Sequence, residues 1–371
     1  MKIILIIITL VSGLAVILAS HYFLYSTAVK FFDISDKKIK LIISVLLSIL
    51  SVSFILASIM VHWMENVITR NFYLVAGIWL GWLTLLLIAC LLLWLLFILS
   101  KPFGMVLNFK IIAAIFFAIS FFVTAYSIVN AKRIVIKEIE VFVKNLPAQW
   151  ENKVLLQVSD VHLGAINGTS FITEIVQTIN QLEPEAVFIT GDYFDGMDGL
   201  LDDFVEPLNN INAPQGIYFI TGNHETYLGV DKVKAALSRS KIVLMDDKMI
   251  DLDGLALIGI NHPVGGEKKD LADIIKANNP KKPIVLLYHI PKQIEQAKDA
   301  GVDLMLSGHT HKGQIWPYGY ITRSIFGEYH YGLNQEDDFT QYTTSGVGTW
   351  GPMMRIGTQS EIVKIRLKNK P

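Results

Sequence analysis

Four stretches of the chain carry almost no polar side chains: residues 3–29, 41–64, 71–100 and 111–131. None of the four contains Asp, Glu, Lys or Arg. Each is long enough to cross the hydrocarbon layer of a bilayer, which takes about 20 apolar residues in a helix. Backbone amides and carbonyls in hydrocarbon must pair within their own segment, so each run predicts a helix. Buried core helices of a soluble protein are the alternative, but four such runs in succession with hardly any polar face argue against it. The first run also has features of a cleaved signal peptide, with Lys2 ahead of it and small residues at Ala19 and Ser20. Its apolar part is long for that role, and Leu18 suits a cleavage site poorly.

From Lys132 the pattern changes. A mixed-charge stretch, 132–150, reads as a connector. Short β-rich runs then alternate with amphipathic ones. Strands are expected over 154–158, 186–190, 217–221, 242–245, 255–260, 284–288 and 304–307. Helices are expected over 171–182, 230–240, 271–277 and 291–300, with Pro291 in a first turn and Gly301 closing the last one. Strand–helix–strand alternation indicates an α/β layer fold.

Composition sharpens this division. The chain is 52% hydrophobic and 18% charged, and residues 1–130 hold only eight Lys or Arg and three Asp or Glu. The remainder has the charge content of an ordinary globular domain and a net charge of about −6 with His neutral. Such a domain lacks the basic footprint of a nonspecific polyanion binder, which disfavours nucleic acid as a partner. The single cysteine, Cys90, lies in an apolar run. It excludes an intrachain disulfide and a thiolate-cluster zinc site. The absence of acidic or basic residues inside the apolar runs argues for an anchor or a platform for a lipid-like substrate rather than a transporter. His21 and His62 are expected near the membrane interface. Counting Lys and Arg between the runs gives five against six for the two orientations, which leaves the membrane side open.

The expected strand ends carry the polar chemistry. They read Ser159-Asp160-Val161-His162, Thr190-Gly191-Asp192-Tyr193-Phe194-Asp195, Thr221-Gly222-Asn223-His224-Glu225, Tyr288-His289 and Ser307-Gly308-His309-Thr310-His311. Sites in open α/β sheets form at the carboxyl ends of strands. Asp160 and His162 are two apart, as are His309 and His311, so each pair faces one way in extended chain. Glycines at 191, 222 and 308 permit sharp turns in a crowded site. Seven of the nine histidines lie after residue 131, five of them in these blocks. Carboxylate, carboxamide and imidazole donors without thiolate suit Mn, Fe or Zn ions.

These blocks, in this order, resemble the calcineurin-like metallophosphoesterase superfamily over roughly residues 150–370, and most closely its bacterial membrane-associated branch. That branch ends its last metal motif Gly-His-Thr-His-Gly-Gly-Gln; here the run is Gly308-His309-Thr310-His311-Lys312-Gly313-Gln314, with Lys312 in place of Gly. The ending Ser345-Gly346-Val347-Gly348-Thr349, then Arg355 and Glu361-Ile362, is also similar to that branch. The resemblance implies an α/β protein with a four-layer α/β/β/α sandwich, the metallophosphoesterase fold, preceded by four transmembrane helices. The implied organisation is a transmembrane block at 1–131, the connector at 132–150 and the metallophosphoesterase domain at 151–371. It implies two divalent metal ions, one held by Asp160, His162, Asp192 and His311 and the other by Asp192, Asn223, His289 and His309. His224 would act beside the phosphate as an acid or stabiliser, and Asp192 would bridge. The implied activity is hydrolysis of a phosphate ester or pyrophosphate by a multi-pass protein of the bacterial inner membrane. The substrate would be lipid-linked, such as a UDP-linked diacyl sugar, or else a soluble phosphomonoester or nucleotide; a non-catalytic receptor that keeps the fold is a further alternative.

Several residues keep two readings at this point. Asp195 and Glu225 each fit either support of a ligand or a turn cap. Lys312 and Arg355 fit phosphate contacts or solvated charges. His262 and His330 read as surface residues. The aromatic stretch from Trp316 to Tyr331 suits either an apolar or sugar part of a substrate, or the membrane interface, or packing of the second sheet.

Overall fold

The computed structural model describes residues 2–196, 201–265, 267, 269–278 and 280–370. The chain divides into two compact units, one of residues 1–129 with 351–354 and one of residues 130–350 with the stretch from Arg355 onward.

The first unit contains the apolar helices α1 (Lys2–Phe31), α2 (Lys37–Trp63), α3 (Val67–Ser100) and most of α4 (Phe109–Lys132). All four have lengths and compositions that suit a membrane crossing. Caps fix two of their starts: the Asp36 carboxylate accepts from the amides of Lys38 and Ile39, and Asn66 and Thr69 form a reciprocal capping box at the head of α3. Three indole N–H groups on α3 are each satisfied from another helix. Trp79 donates to His21 Nε2 at 3.1 Å, Trp82 to Ser120 Oγ at 3.0 Å and Trp94 to Thr27 Oγ1 at 3.0 Å. Polar hydrogens without water need such partners. His21 therefore sits inside the bundle, 4% exposed, instead of at an interface. The physical reason is that its ring is fixed at both nitrogens, by the Ile17 carbonyl and the Trp79 indole.

Among its described residues the second unit has twelve strands in two six-stranded sheets. They are β1 (Ile134–Val143), β2 (Val154–Val158), β3 (Ala186–Thr190), β4 (Ile217–Ile220), β5 (Val243–Leu244), β6 (Lys248–Leu252), β7 (Leu255–Ile260), β8 (Ile284–Tyr288), β9 (Leu304–Ser307), β10 (Gly332–Glu336), β11 (Phe339–Thr343) and β12 (Ser360–Asn369). The first sheet runs β1-β12-β2-β3-β4-β5 and the second β10-β11-β9-β8-β7-β6. Strands β2 to β5 are mutually parallel, as are β7, β8, β9 and β11. The helices are α5 (Thr169–Gln181), α6 (Leu201–Val205), α7 (Asn223–Leu228), α8 (Val230–Leu237), α9 (Leu271–Asn278), α10 (Ile294–Asp299) and α11 (Gly319–Phe326).

The layering follows from alternation along the buried strands. Leu156, Val187 and Phe219 pack outward against Ile172 and Ile175 of α5, Phe204 of α6 and Val233 of α8. Their neighbours Leu155, Phe188 and Ile220 face inward onto Leu257, Leu287 and Leu306 of the second sheet. On the far side, Ile258, Leu286 and Met305 cover Leu271 and Ile275 of α9 and Ala297 of α10. The result is the expected α/β/β/α sandwich, with the site-bearing ends of β2, β3, β4, β8 and β9 brought to one edge.

Two local expectations fail. The stretch 132–150 contains β1, which pairs with β12 in parallel from Ile134↔Ser360 to Val143↔Asn369. Its outward charges, Lys137, Glu138 and Glu140, masked the strand pattern. Helix α10 starts at Ile294, not Pro291, because Gln293 takes a left-handed conformation (φ 57°). Its side chain accepts from Leu271 N and donates to Lys269 O.

Candidate functional site

The site is assembled where strands stop. β2 runs into Asp160 and His162, β3 into Asp192, β4 into Asn223 and His224, β8 into His289, and β9 into His309 and His311. Five of these residues, Asp160, His162, Asp192, His309 and His311, have positive φ between 49° and 75°. Non-glycine residues avoid that region at a cost of about 1–3 kcal/mol each, and such strain concentrates at functional sites. Two glycines make room. A Cβ on Gly191 (φ 90°) would lie 2.7 Å from His289 Nδ1 and 2.7 Å from Gly222 N, and one on Gly308 would lie 2.3 Å from Asp160 Oδ2.

Three groups of donor atoms overlap: Asp160, His162 and His311; His162, Asp192 and His224; and Asp192, His289 and His309, the atoms of each group lying within 4.8 Å of one another. Nε2 of His162 faces Nε2 of His311 at 3.1 Å, and Asp160 Oδ1 lies 3.5 Å from the same His311 atom. Across the site, His289 Nε2 is 3.1 Å from Asp192 Oδ2, and Asn223 Oδ1 is 2.9 Å from His309 Nδ1. All seven expected ligand residues and His224 therefore converge. Asp192 belongs to two of the groups, between the other residues.

The surroundings hold these atoms in place. His289 donates from Nδ1 to the Thr190 carbonyl at 2.8 Å, so Nε2 is the nitrogen that faces the site. That nitrogen is buried and meets the Asp192 carboxylate at 3.1 Å, outside good hydrogen-bond geometry. His224 likewise donates from Nδ1 to the Asp195 carbonyl at 3.0 Å, leaving Nε2 free. The Asp195 carboxylate lies 3.3 Å from His162 Nδ1 and 3.8 Å from His224 Nδ1. Glu225 is fully buried and accepts from four amides: Asp192 N at 2.9 Å, Tyr193 N at 2.8 Å, Phe194 N at 3.0 Å and Gly222 N at 2.6 Å. It cements the turns that carry Asp192 and Asn223 to each other, so it fills both roles open to it in the sequence: it caps α7 at Gly222 and supports the Asp192 turn.

Electrostatics match a cation-shaped environment. Burial works against a charge on His289, but Asp192 and Asp160 outweigh it and push the imidazole up to about 10. Burial raises Asp192, but the same imidazole then holds it well below the usual carboxylate range. Burial and the neighbouring His289 charge bring His309 down to about 3, and burial and His162 hold His311 well below the usual imidazole range. His309 and His311 as neutral imidazoles and Asp192 as a carboxylate are forms that bind a divalent ion, and the positive charge that the two carboxylates draw onto His289 is one that an ion would replace. Facing lone-pair donors, a buried nitrogen outside good hydrogen-bond geometry and an oxygen–nitrogen donor set without thiolate all fit such ions.

Other expectations change. Arg355 is fully buried and donates to the carbonyls of Ser345 (2.7 Å), Gly346 (3.1 Å) and Gly348 (2.6 Å). It is neither a phosphate contact nor a solvated charge; it fills the carbonyl-lined loop that the Gly346–Gly348 turn creates. His262 is half-buried, not on the surface, with its ring 6.5 Å from that of His289. Burial and the His289 charge pull it down to about 4. Its place two residues beyond the end of β7 was the available signal. His330 is only partly covered and donates to the Gly327 carbonyl. Sequence reasoning also missed Tyr227 and Trp350, whose rings lie 5.5 and 6.2 Å from that of His224; nothing in their spacing marks them.

Comparison with known proteins agrees with this frame. The calcineurin-like phosphoesterase family profile matches residues 153–313. A metallophosphoesterase of Helicobacter pylori is 35% identical over 241 residues, covering 63% of this chain and 64% of the relative. One of Campylobacter jejuni is 32% identical over 259 residues and 68% of each chain. A transmembrane protein with metallophosphoesterase domain from Danio rerio is 32% identical over 268 residues, 66% of this chain and 60% of the relative. The chain thus spans less than two thirds of the length of the Helicobacter relatives it matches. The chain belongs to the calcineurin-like metallophosphoesterase family.

Proposed function

We propose that this protein is a membrane-anchored hydrolase that cleaves a phosphate ester or pyrophosphate with two divalent metal ions. Asp160, His162, Asp192 and His311 would hold one ion, and Asp192, Asn223, His289 and His309 the other, with Asp192 shared. The observation that carries this reading is the overlap of the donor groups through Asp192 and His162. Two cations in such a site lower the pKa of a water between them and neutralise phosphoryl oxygens. Mn, Fe and Zn all suit the donor set.

The chain's own residues supply the rest. Glu225, through four amides, fixes where the Asp192 carboxylate stands. Asp192 Oδ1 accepts the His224 amide at 2.9 Å, which sets the head of α7 against the site. His224, with Nδ1–H committed to the Asp195 carbonyl, keeps Nε2 available to hold a proton and deliver it to a departing oxygen, or to bind a phosphoryl oxygen when protonated. Asp195 orients His162 as carboxylates orient ligand imidazoles elsewhere. Trp350, 58% exposed beside His224, borders the entry with apolar surface.

Four apolar helices and exposed aromatic residues near the site favour a lipid-linked phosphate or pyrophosphate, of the type of a UDP-linked diacyl sugar, at the bacterial inner membrane. Soluble phosphomonoesters or nucleotides are the competing substrates. The full chain in detergent, given Mn²⁺ and either a lipid-linked diphosphate in micelles or soluble nucleotides, separates them. A higher kcat/KM for the micellar substrate is expected; preference for nucleotides overturns the lipid assignment.

A further inference from the structure

Beside the His309–His311 loop lies a cleft of about 170 Å³ lined by Lys312, Trp316, Tyr320, Arg323 and His330, among others. It has room for several waters at roughly 30 Å³ each. The cleft and the metal-ligand cluster share a framework. Lys312 follows His311 directly. Thr310 Oγ1 donates to the His330 carbonyl at 2.6 Å, and the Phe326 ring at the end of α11 stands 5.8 Å from the His309 ring. Gly313 meets Gly319 so closely that a Cβ there would lie 2.2 Å from Gly319 N. The start of α11 is thereby clamped to the ligand loop.

The chemistry of the lining is one-sided. Tyr320 and Arg323 are three residues apart on α11 and so share a face. Lys312 Nζ sits 4.2 Å over the Tyr331 ring. Among the described residues neither Lys312 nor Arg323 forms an ion pair with a carboxylate, while nine other lysines of this unit do. Burial, and after it the charges of Arg323 and Lys312, keep the His330 ring below the usual imidazole range. Lys312, Arg323 and His330 all line the cleft. Trp316 and Tyr320, 48% and 68% exposed, add apolar walls. Uncompensated cations flanked by exposed aromatics, immediately beyond a metal ligand, are a receptor for an anion attached to a larger group.

We propose that Lys312 and Arg323, walled by Trp316 and Tyr320, form a subsite for the second phosphate of a diphosphate substrate whose first phosphate lies at the donor cluster. The inference rests on the hydrolase reading above and narrows it to diphosphates. A lipid diphosphate and a nucleoside diphosphate share the chemistry that the subsite recognises.

The test is calorimetric titration of the Mn²⁺-loaded full chain in detergent with cleavage-resistant probes: α,β-methylene ADP and farnesyl methylenediphosphonate, each against its monophosphate counterpart, AMP and farnesyl phosphate. The wild type should bind at least one diphosphonate about tenfold more tightly than its counterpart, and Lys312→Ala with Arg323→Ala should erase that preference, since a charged hydrogen bond contributes roughly a tenfold factor or more. Lys312→Arg with Arg323→Lys should keep it, which separates lost charge from lost folding. Preference for the farnesyl probe identifies a lipid source, and preference for the adenine probe a soluble one. No preference in the wild type, or a preference unchanged in the alanine variant, overturns the subsite. Because binding is read without turnover, that failure is distinct from failure of the hydrolase reading, which shows as Asp192-independent hydrolysis.

Discussion

Nε2 of His162 and Nε2 of His311 stand 3.1 Å apart, with Asp160 Oδ1 3.5 Å from the latter. Two imidazole lone pairs aimed at each other are stable only with a proton or a cation between them. The carboxylate alongside favours a cation. His311→Ala should therefore remove one of two ions, lowering bound Mn²⁺ from about two per chain to about one. Metal analysis of the purified variant checks this. An unchanged stoichiometry would mean that His311 is not a ligand.

Glu225 carries four amide hydrogen bonds while fully buried, and burial with the neighbouring Asp192 charge raises its carboxyl to about 7. Glu225→Gln keeps the shape but turns an NH₂ group toward amide donors. Leaving buried donors unpaired costs about 2–4 kcal/mol. The variant should unfold at a markedly lower temperature and bind metal more weakly, because the Asp192 turn is then held by fewer contacts.

Arg355 distinguishes support from catalysis. Its guanidinium binds three loop carbonyls and no solvent, and burial lowers it to about 10. Arg355→Met should destabilise the protein by about 3 kcal/mol, as orphaned buried carbonyls do. At temperatures where the variant is folded, KM should be unchanged. A selective rise in KM would restore the phosphate-contact role.

Asp303 provides a pH test away from the donor cluster. Burial raises its carboxyl to about 6, against the amide of Ile284 that its Oδ2 accepts at 2.8 Å. A folded pKa above the unfolded one means that the folded state binds the proton more tightly. The associated stability is present at low pH and lost as pH rises from about 4 through 6. Asp303→Asn keeps an acceptor for Ile284 N and cannot ionise. After allowance for residual exposure it should stabilise the protein by about 1 kcal/mol at pH 8 and be near neutral at pH 4.5. Denaturant unfolding at both values reads the difference.

The parts legible in the sequence were those decided locally. Strands β2, β3, β7, β8 and β9 are short, mostly apolar runs bounded by polar blocks, and the structure has them where the pattern does. The donor residues follow those strands directly, so knowing the strand ends locates them. Long-range pairing decided what was hidden. β1 is an edge strand with alternating charges, recognisable only with its partner β12 in place. Arg355 looks like a surface cation until the Ser345–Gly348 carbonyls close around it. His21 looks interfacial until Trp79, 58 residues away, supplies its hydrogen bond. The start of α10 was misjudged because Gln293 is needed to hold α9, which no local rule reveals.

The central claim is hydrolysis through a shared Asp192. It is tested most directly by Mn²⁺-dependent cleavage of bis(p-nitrophenyl) phosphate by the purified full chain, with Asp192→Ala alongside. The account predicts turnover that EDTA abolishes and that the substitution reduces by about 10³-fold or more. Turnover retained by Asp192→Ala, or none by the folded wild type with any of Mn²⁺, Fe²⁺ or Zn²⁺, would contradict it.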